Sequence, residues 1–316
     1  MRPGDLLKPP QEVLTARFFV VGYLPTCAAA LYLLALIWAG APGAGLDFSA
    51  SWDTAAQLGA GEILGILLGI LLVALLAAPL QLPLVRLLEG GWPRRLGSGL
   101  ARRRQLVRKR RMSDRAVLNR PASGGDPAQE DVQRAGAAAS ALHRCFPAPD
   151  HLVRPTALGN VLAAMEDTAG RAYGLDAVVA WPRLYPLLDD RMRAVVDDRR
   201  NALDTAVRMA ATGALTAVFA TALLSRSGWW LCLALLPAAL AVLAYSGAVQ
   251  AALGYAETVH AAVDLHRFTL LTALRLPLPA DRAAERAVNR ALCDEWRQNV
   301  PFSPTYQHPS DGEQGT

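Results

Sequence analysis

Lysine is almost absent from this chain: apart from Lys8 and Lys109, its 32 Lys+Arg residues are all arginine. With the abundant alanine, this matches the codon bias of a GC-rich genome, so arginine content alone says little about function. Cysteine is scarce, four in 316 residues, none in a CxxC pair, and Cys27 and Cys232 lie in apolar runs. A disulfide framework is therefore excluded. His143, Cys145 and His151 lack a fourth ligand and a zinc-type spacing, so they define no metal site. No GxSxG, Walker A, GxGxxG or HExxH pattern occurs, and neither a catalytic centre nor a cofactor is implied. The most telling absence is of charge. Residues 18–39, 63–85 and 229–253 contain no Asp, Glu, Lys or Arg, and 205–224 contains only Arg208.

Each of these four runs is about as long as the ~20 residues a helix needs to cross a bilayer. With 53% hydrophobic residues and a mean hydropathy of +0.22, the expected fold is all-α, an integral membrane protein with four transmembrane helices in two hairpins. The run at 18–39 precedes Ala39-Gly40-Ala41, a small-residue triplet like a cleavage site, but it exceeds a signal h-region and is read as a retained span. The 42–61 connection has Asp47 and Asp53 and no basic residue, whereas Arg94 to Arg115 crowd the end of span two. Basic flanks stay cytoplasmic. This places both termini and the middle segment on the cytoplasmic side of a plasma (inner) membrane. Trp38 and Trp229-Trp230 agree as an outer aromatic belt, and Trp92 as an inner one.

The expected organisation is a cytoplasmic N-terminus (1–17), hairpin one (18–85), a polybasic juxtamembrane stretch (86–118), a flexible linker (119–127), a helical cytoplasmic unit (128–204), hairpin two (205–254), cytoplasmic helices (255–299) and a disordered tail (300–316). In the polybasic stretch, Arg102, Arg103, Arg104, Arg108, Lys109, Arg110 and Arg111 are the candidate contacts to anionic lipid headgroups, each worth about 1 kcal/mol near the surface. Nucleic acid is the weaker alternative, because topology and lipid already account for the charge.

In span two, Gly61, Gly65 and Gly69 recur at four-residue spacing, a groove for packing against another span or, in a homo-oligomer, against a second copy. Glu62 beside it reaches interfacial water or faces a cavity. Pro25, Pro79, Pro83 and Pro237 can kink three of the spans. At the inner end of span four, Gln250, Gly254, Glu257, Ala261 and Asp264 share one helical face with His260 beside it. This polar stripe contacts the charged stalk described next or lines an aqueous vestibule. Glu257-x-x-His260 fits half of a di-iron unit, but no second half is present.

Within the middle segment, Thr156 and Asp176 are expected N-caps. Gly170 and Gly174 should break the helix after Thr156, and Trp181-Pro182 should end the short run after Asp176. From Asp189, an apolar stripe of Met192, Val195, Val196, Leu203 and Val207 lies beside alternating Asp and Arg at helical spacing. No Pro or Gly intervenes between Leu187 and Gly213. One continuous helix over about 189–224, a charged stalk that becomes span three, is predicted. A further helix is expected over 281–299.

Two stretches, Pro83-Leu84-Val85-Arg86-Leu87-Leu88-Glu89-Gly90 and Pro155-Thr156-Ala157-Leu158-Gly159-Asn160 continuing to Tyr173-Gly174-Leu175-Asp176-Ala177-Val178-Val179-Ala180-Trp181-Pro182-Arg183-Leu184, resemble an uncharacterised group of four-span membrane proteins from actinobacteria and other bacteria. The resemblance implies the four-span arrangement and no catalytic residues. The layout is also similar in topology to bestrophin-type channels. The sequence thus points to a non-enzymatic membrane module whose cytoplasmic unit acts as a scaffold, sensor or docking site for a cytoplasmic protein partner. An oligomeric channel through Glu62, Gln250, Glu257, His260 and Asp264 is the alternative.

Overall fold

A computed structural model describes residues 11–92, 97–117, 128–303 and 305–307; among them the fold is helical throughout, with no strand. The expected linker 119–127 and most of the tail lie outside the described residues. So do Arg94 and Arg95. The helices are α1 (Gln11–Trp38), α2 (Phe48–Ala56), α3 (Ala60–Leu88), α4 (Ser98–Ala116), α5 (Gln129–Cys145), α6 (Ala157–Thr168), α7 (Ala177–Leu184), α8 (Asp190–Leu224), α9 (Leu235–Ala273) and α10 (Arg282–Gln298).

Capping explains where many of them begin. Orphan N–H groups in a first turn need acceptors, and short polar side chains supply them. Asp47 accepts from Ser49 and Ala50 at the start of α2, and Asp281 from Ala284 at the start of α10. Thr156 accepts from Gly159 and Asp176 from Val178, the two caps read from the sequence. Asp189 Oδ1 accepts from the Met192 N–H at 2.7 Å and starts α8, which runs unbroken for 35 residues, as the stalk pattern predicts. Gly170 and Gly174 take φ of +76° and +79°, and α6 stops before them at Thr168.

Two helical stretches are long and apolar enough to span a membrane, Asp190–Leu224 and Gly228–Ala273, and Phe48–Ala56 with Ala60–Val73, bent by 113°, supplies a third if counted as one. The four-span expectation therefore stands at two or three. The apolar part of α1 whose side chains are described, Leu24–Trp38, is too short to count by itself.

The chain divides into two units, one of residues up to Leu88 with Ala202–Ala248, the other of Glu89–Asn201 with Val249 onward. In the first, Leu36, Ala41, Ala220, Leu224 and Ala234 form a small core with Tyr32, Leu33 and Trp230 against it. Tyr32 donates to the Leu233 carbonyl at 2.8 Å, and Gly213 allows α8 to approach Ala241 of α9 closely. In the second, α6 is the central element: Leu158, Val161, Ala163 and Ala164 are all at most 3% exposed. The helices expected as a separate 255–299 region belong to this same unit.

Three expectations are corrected. Helix α7 does not end at Trp181-Pro182 but continues to Leu184, and the Arg183 guanidinium donates to the Val179 carbonyl at 2.8 Å. Val195 is 45% exposed and outside the buried stripe of Val196, Leu203 and Val207. The tail is docked at its start: Phe302 packs on the Leu271, Leu276 and Leu292 cluster, and the Gln307 N–H donates to the Arg275 carbonyl at 2.8 Å.

Candidate functional site

Helix α4 and the α6–α7–α10 region of the second unit hold most of the chemistry-bearing side chains. Successive residues on a helix turn by about 100°, so the seven basic candidates of α4 cannot all face one way. Two turn inward. Arg102 Nε donates to the Val153 carbonyl at 2.9 Å and Nη2 to the Asp150 carbonyl at 2.8 Å. Seven residues on, and so on the same face, Lys109 Nζ donates to the Ala148 carbonyl at 2.7 Å and pairs with Asp150 at 2.6 Å. The hydrogen bond and charge of Lys109 hold the Asp150 carboxyl below the usual carboxylate range. These two residues clamp the 148–153 segment, a structural role the sequence reading did not assign them.

The other five, Arg103, Arg104, Arg108, Arg110 and Arg111, are exposed. Between them lie Leu100 and Val107, 61% and 48% exposed, again seven residues apart. The outward face of α4 is thus two apolar side chains flanked by guanidinium groups.

A second feature is a cleft of about 500 Å³ lined by α6, α7 and α10. Its rims are ion pairs: Arg154–Glu166 at 2.6 Å, Arg171–Asp167, and Arg297–Asp176. Cys293 lines it, and burial pushes its thiol up to about 11, the direction that disfavours the reactive thiolate.

The polar stripe of α9 is taken up largely by neighbours within the unit. Gly254 faces the aliphatic part and guanidinium of Arg199 on the stalk. Glu257 pairs with Arg144 at 3.3 Å. His260 Nδ1 donates to the Ala256 carbonyl at 2.7 Å, and its Nε2 lies 3.0 Å from the Thr168 hydroxyl. Asp264 accepts a hydrogen bond from the Tyr173 hydroxyl, whose pKa is raised first by burial and then by this bond. Gln250 is exposed. His143 joins His260, Arg144 and Glu257 around a cavity of about 240 Å³, but no three metal-ligating groups converge among the described residues.

In the first unit, Glu62 Oε2 accepts from the Gly59 N–H at 2.9 Å. It caps its own helix in the manner of a capping-box glutamate. A Cβ placed on Gly61, Gly65 or Gly69 would meet nothing within 4 Å, so no described residue packs closely against this glycine face.

The residues of the two resemblance stretches meet. Gly90, at φ +95°, sits against Arg154, Pro155 and Thr156, and a Cβ on Gly159 would overlap the Glu89 carbonyl oxygen. Downstream, Arg183 stacks on Trp296 at 4.4 Å and Arg267 on Tyr173 at 4.2 Å, while Arg267 Nε donates to the buried Glu285 at 2.8 Å. Asn289, 1% exposed, donates to the Tyr173 carbonyl at 2.8 Å. Glu285 and Asn289 went unnoticed in the sequence; their position on the apolar face of α10, beside Leu292, was the available signal.

No protein-family model, curated protein or solved structure matches this chain.

Proposed function

We propose that this chain is a non-enzymatic, four-span membrane module of the plasma membrane, both termini cytoplasmic, whose cytoplasmic helical unit docks on the anionic inner surface through α4 and serves there as a scaffold or sensor. The observation that carries the reading is the sorting of α4. Arg102 and Lys109 tie the helix to its unit, and the remaining arginines stand out around exposed Leu100 and Val107. A basic face with an apolar centre suits an interfacial helix on anionic lipid. A phosphate backbone offers nothing to the two apolar side chains.

The test uses the full chain in nanodiscs. Hydrogen exchange across α4 should slow when neutral lipid is replaced by anionic lipid, and recover in high salt, because exposed charge pairs are screened. Arg104→Gln, Arg108→Gln and Arg111→Gln together should abolish the difference, about 3 kcal/mol of surface attraction at about 1 kcal/mol per arginine. Equal protection in neutral and anionic discs, or protection produced only by added oligonucleotide, sinks the proposal.

A further inference from the structure

The connection between α1 and α3 holds a helix that periodicity did not reveal. In α2, Phe48, Trp52 and Ala55 fall at i, i+4 and i+7 and share one face, while Ser49 and Asp53 lie toward the other. Trp52 is 79% exposed and Phe48 42%. An indole left that bare on an ordered helix is unusual, since aromatic side chains carry a large apolar surface.

Three ties set the level at which this face sits. Only Gln57-Leu58-Gly59 separates α2 from α3, so at about 3.5 Å per residue α2 stays within roughly 14 Å of the start of that helix. Ser227 Oγ donates to the Gly43 carbonyl at 2.7 Å, joining the α1–α2 loop to the α8–α9 turn. Phe48 meets Trp230 edge-on at 5.4 Å, and Trp230 stacks on Trp229 at 4.1 Å. Trp229 is itself 71% exposed. The exposed tryptophans therefore belong to one layer at the ends of the long apolar helices, and α2 leaves α3 at 113°.

We infer that α2 is an in-plane interfacial helix, its Phe48–Trp52 face seated in phospholipid at the headgroup–acyl boundary of the outer leaflet, and not one arm of a broken span. Amphipathic helices and tryptophans settle at this depth because the ring is apolar and its N–H needs a polar partner. No basic residue occurs from Pro42 to Gly61. Seating by α2 consequently depends on apolar contact and is indifferent to lipid charge, the opposite of α4. The inference rests on the membrane-spanning reading of α3, α8 and α9.

The experiment places a bimane label at Trp52→Cys, Asp53→Cys or Leu240→Cys in the full chain, reconstituted with lipids brominated near the headgroup or near the chain end. The unmodified chain, labelled in parallel, supplies the contribution of its native cysteines. The label at Trp52→Cys should lose most emission to shallow bromine, equally in neutral and anionic bilayers. Asp53→Cys should be quenched by aqueous iodide, and Leu240→Cys by deep bromine. Iodide quenching at Trp52→Cys as strong as at Asp53→Cys, or quenching there chiefly by deep bromine, overturns the inference while Leu240→Cys still reports a span. A Leu240→Cys label reached only by iodide overturns the spanning reading itself, and the inference with it.

Discussion

Gly159 is the residue at which one added methyl group says most. Its missing Cβ leaves room for the Glu89 carbonyl, a backbone group that cannot swing aside. Gly159→Ala should cost about 1–3 kcal/mol, as overpacking of a close contact does. Gly136→Ala on α5, where nothing lies within 4 Å, should gain roughly 0.5–1 kcal/mol. Thermal unfolding in detergent compares the two, and equal melting of both variants would remove the joint from the structure's account. Asp150 offers a pH test of the Lys109 clamp. Lys109 holds the Asp150 carboxyl below its ordinary 3.8. The tie is thus complete above pH 3.8 and lost as pH falls through the lower folded value. Exchange protection of α4 should drop in that acid window, and Asp150→Asn should show the weakened state at every pH. A wild-type acid profile in that variant would reassign the clamp to the carbonyl contacts alone.

At the scale of elements, α8 carries the clearest prediction. Pro at Arg199 would lack an N–H and clash with the Val195 carbonyl, a cost of about 3 kcal/mol or more in a helix interior. Arg199→Pro should therefore lower helical content and open a protease-sensitive site near residue 199; an unchanged digestion pattern would dismiss the stalk as a rigid rod. That helix was legible because 25 residues without Pro or Gly combine one apolar stripe with alternating charge. The caps Thr156 and Asp176 were legible for a local reason too: a short polar side chain before an apolar run has one main use. Less could be read where a neighbour decides. Pro182 stays inside α7, and Phe302 anchors a stretch of polar composition to α9 and α10. Helix α2 is only nine residues long, too short for periodicity to separate it from a loop.

Over the whole molecule, the charge-free runs of the sequence established that long apolar helices dominate two parts of the chain, since removing charge over about 20 residues leaves little else for them to do than cross or line a hydrocarbon layer. The basic segment between them was equally plain, because a run of arginines is read directly from composition. Tertiary structure decided what individual side chains do with that material. It turned Arg102 and Lys109 inward and left five arginines out, bound Glu62 to its own helix end, and spent Glu257, His260 and Asp264 on neighbours within one unit. It also brought Glu89-Gly90 against Gly159, some 70 residues away. Composition and period are properties of a segment and survive in the sequence. Which face of a helix meets a partner, and which charge finds a carbonyl or counter-ion, depends on residues distant along the chain, and only packing brings those together.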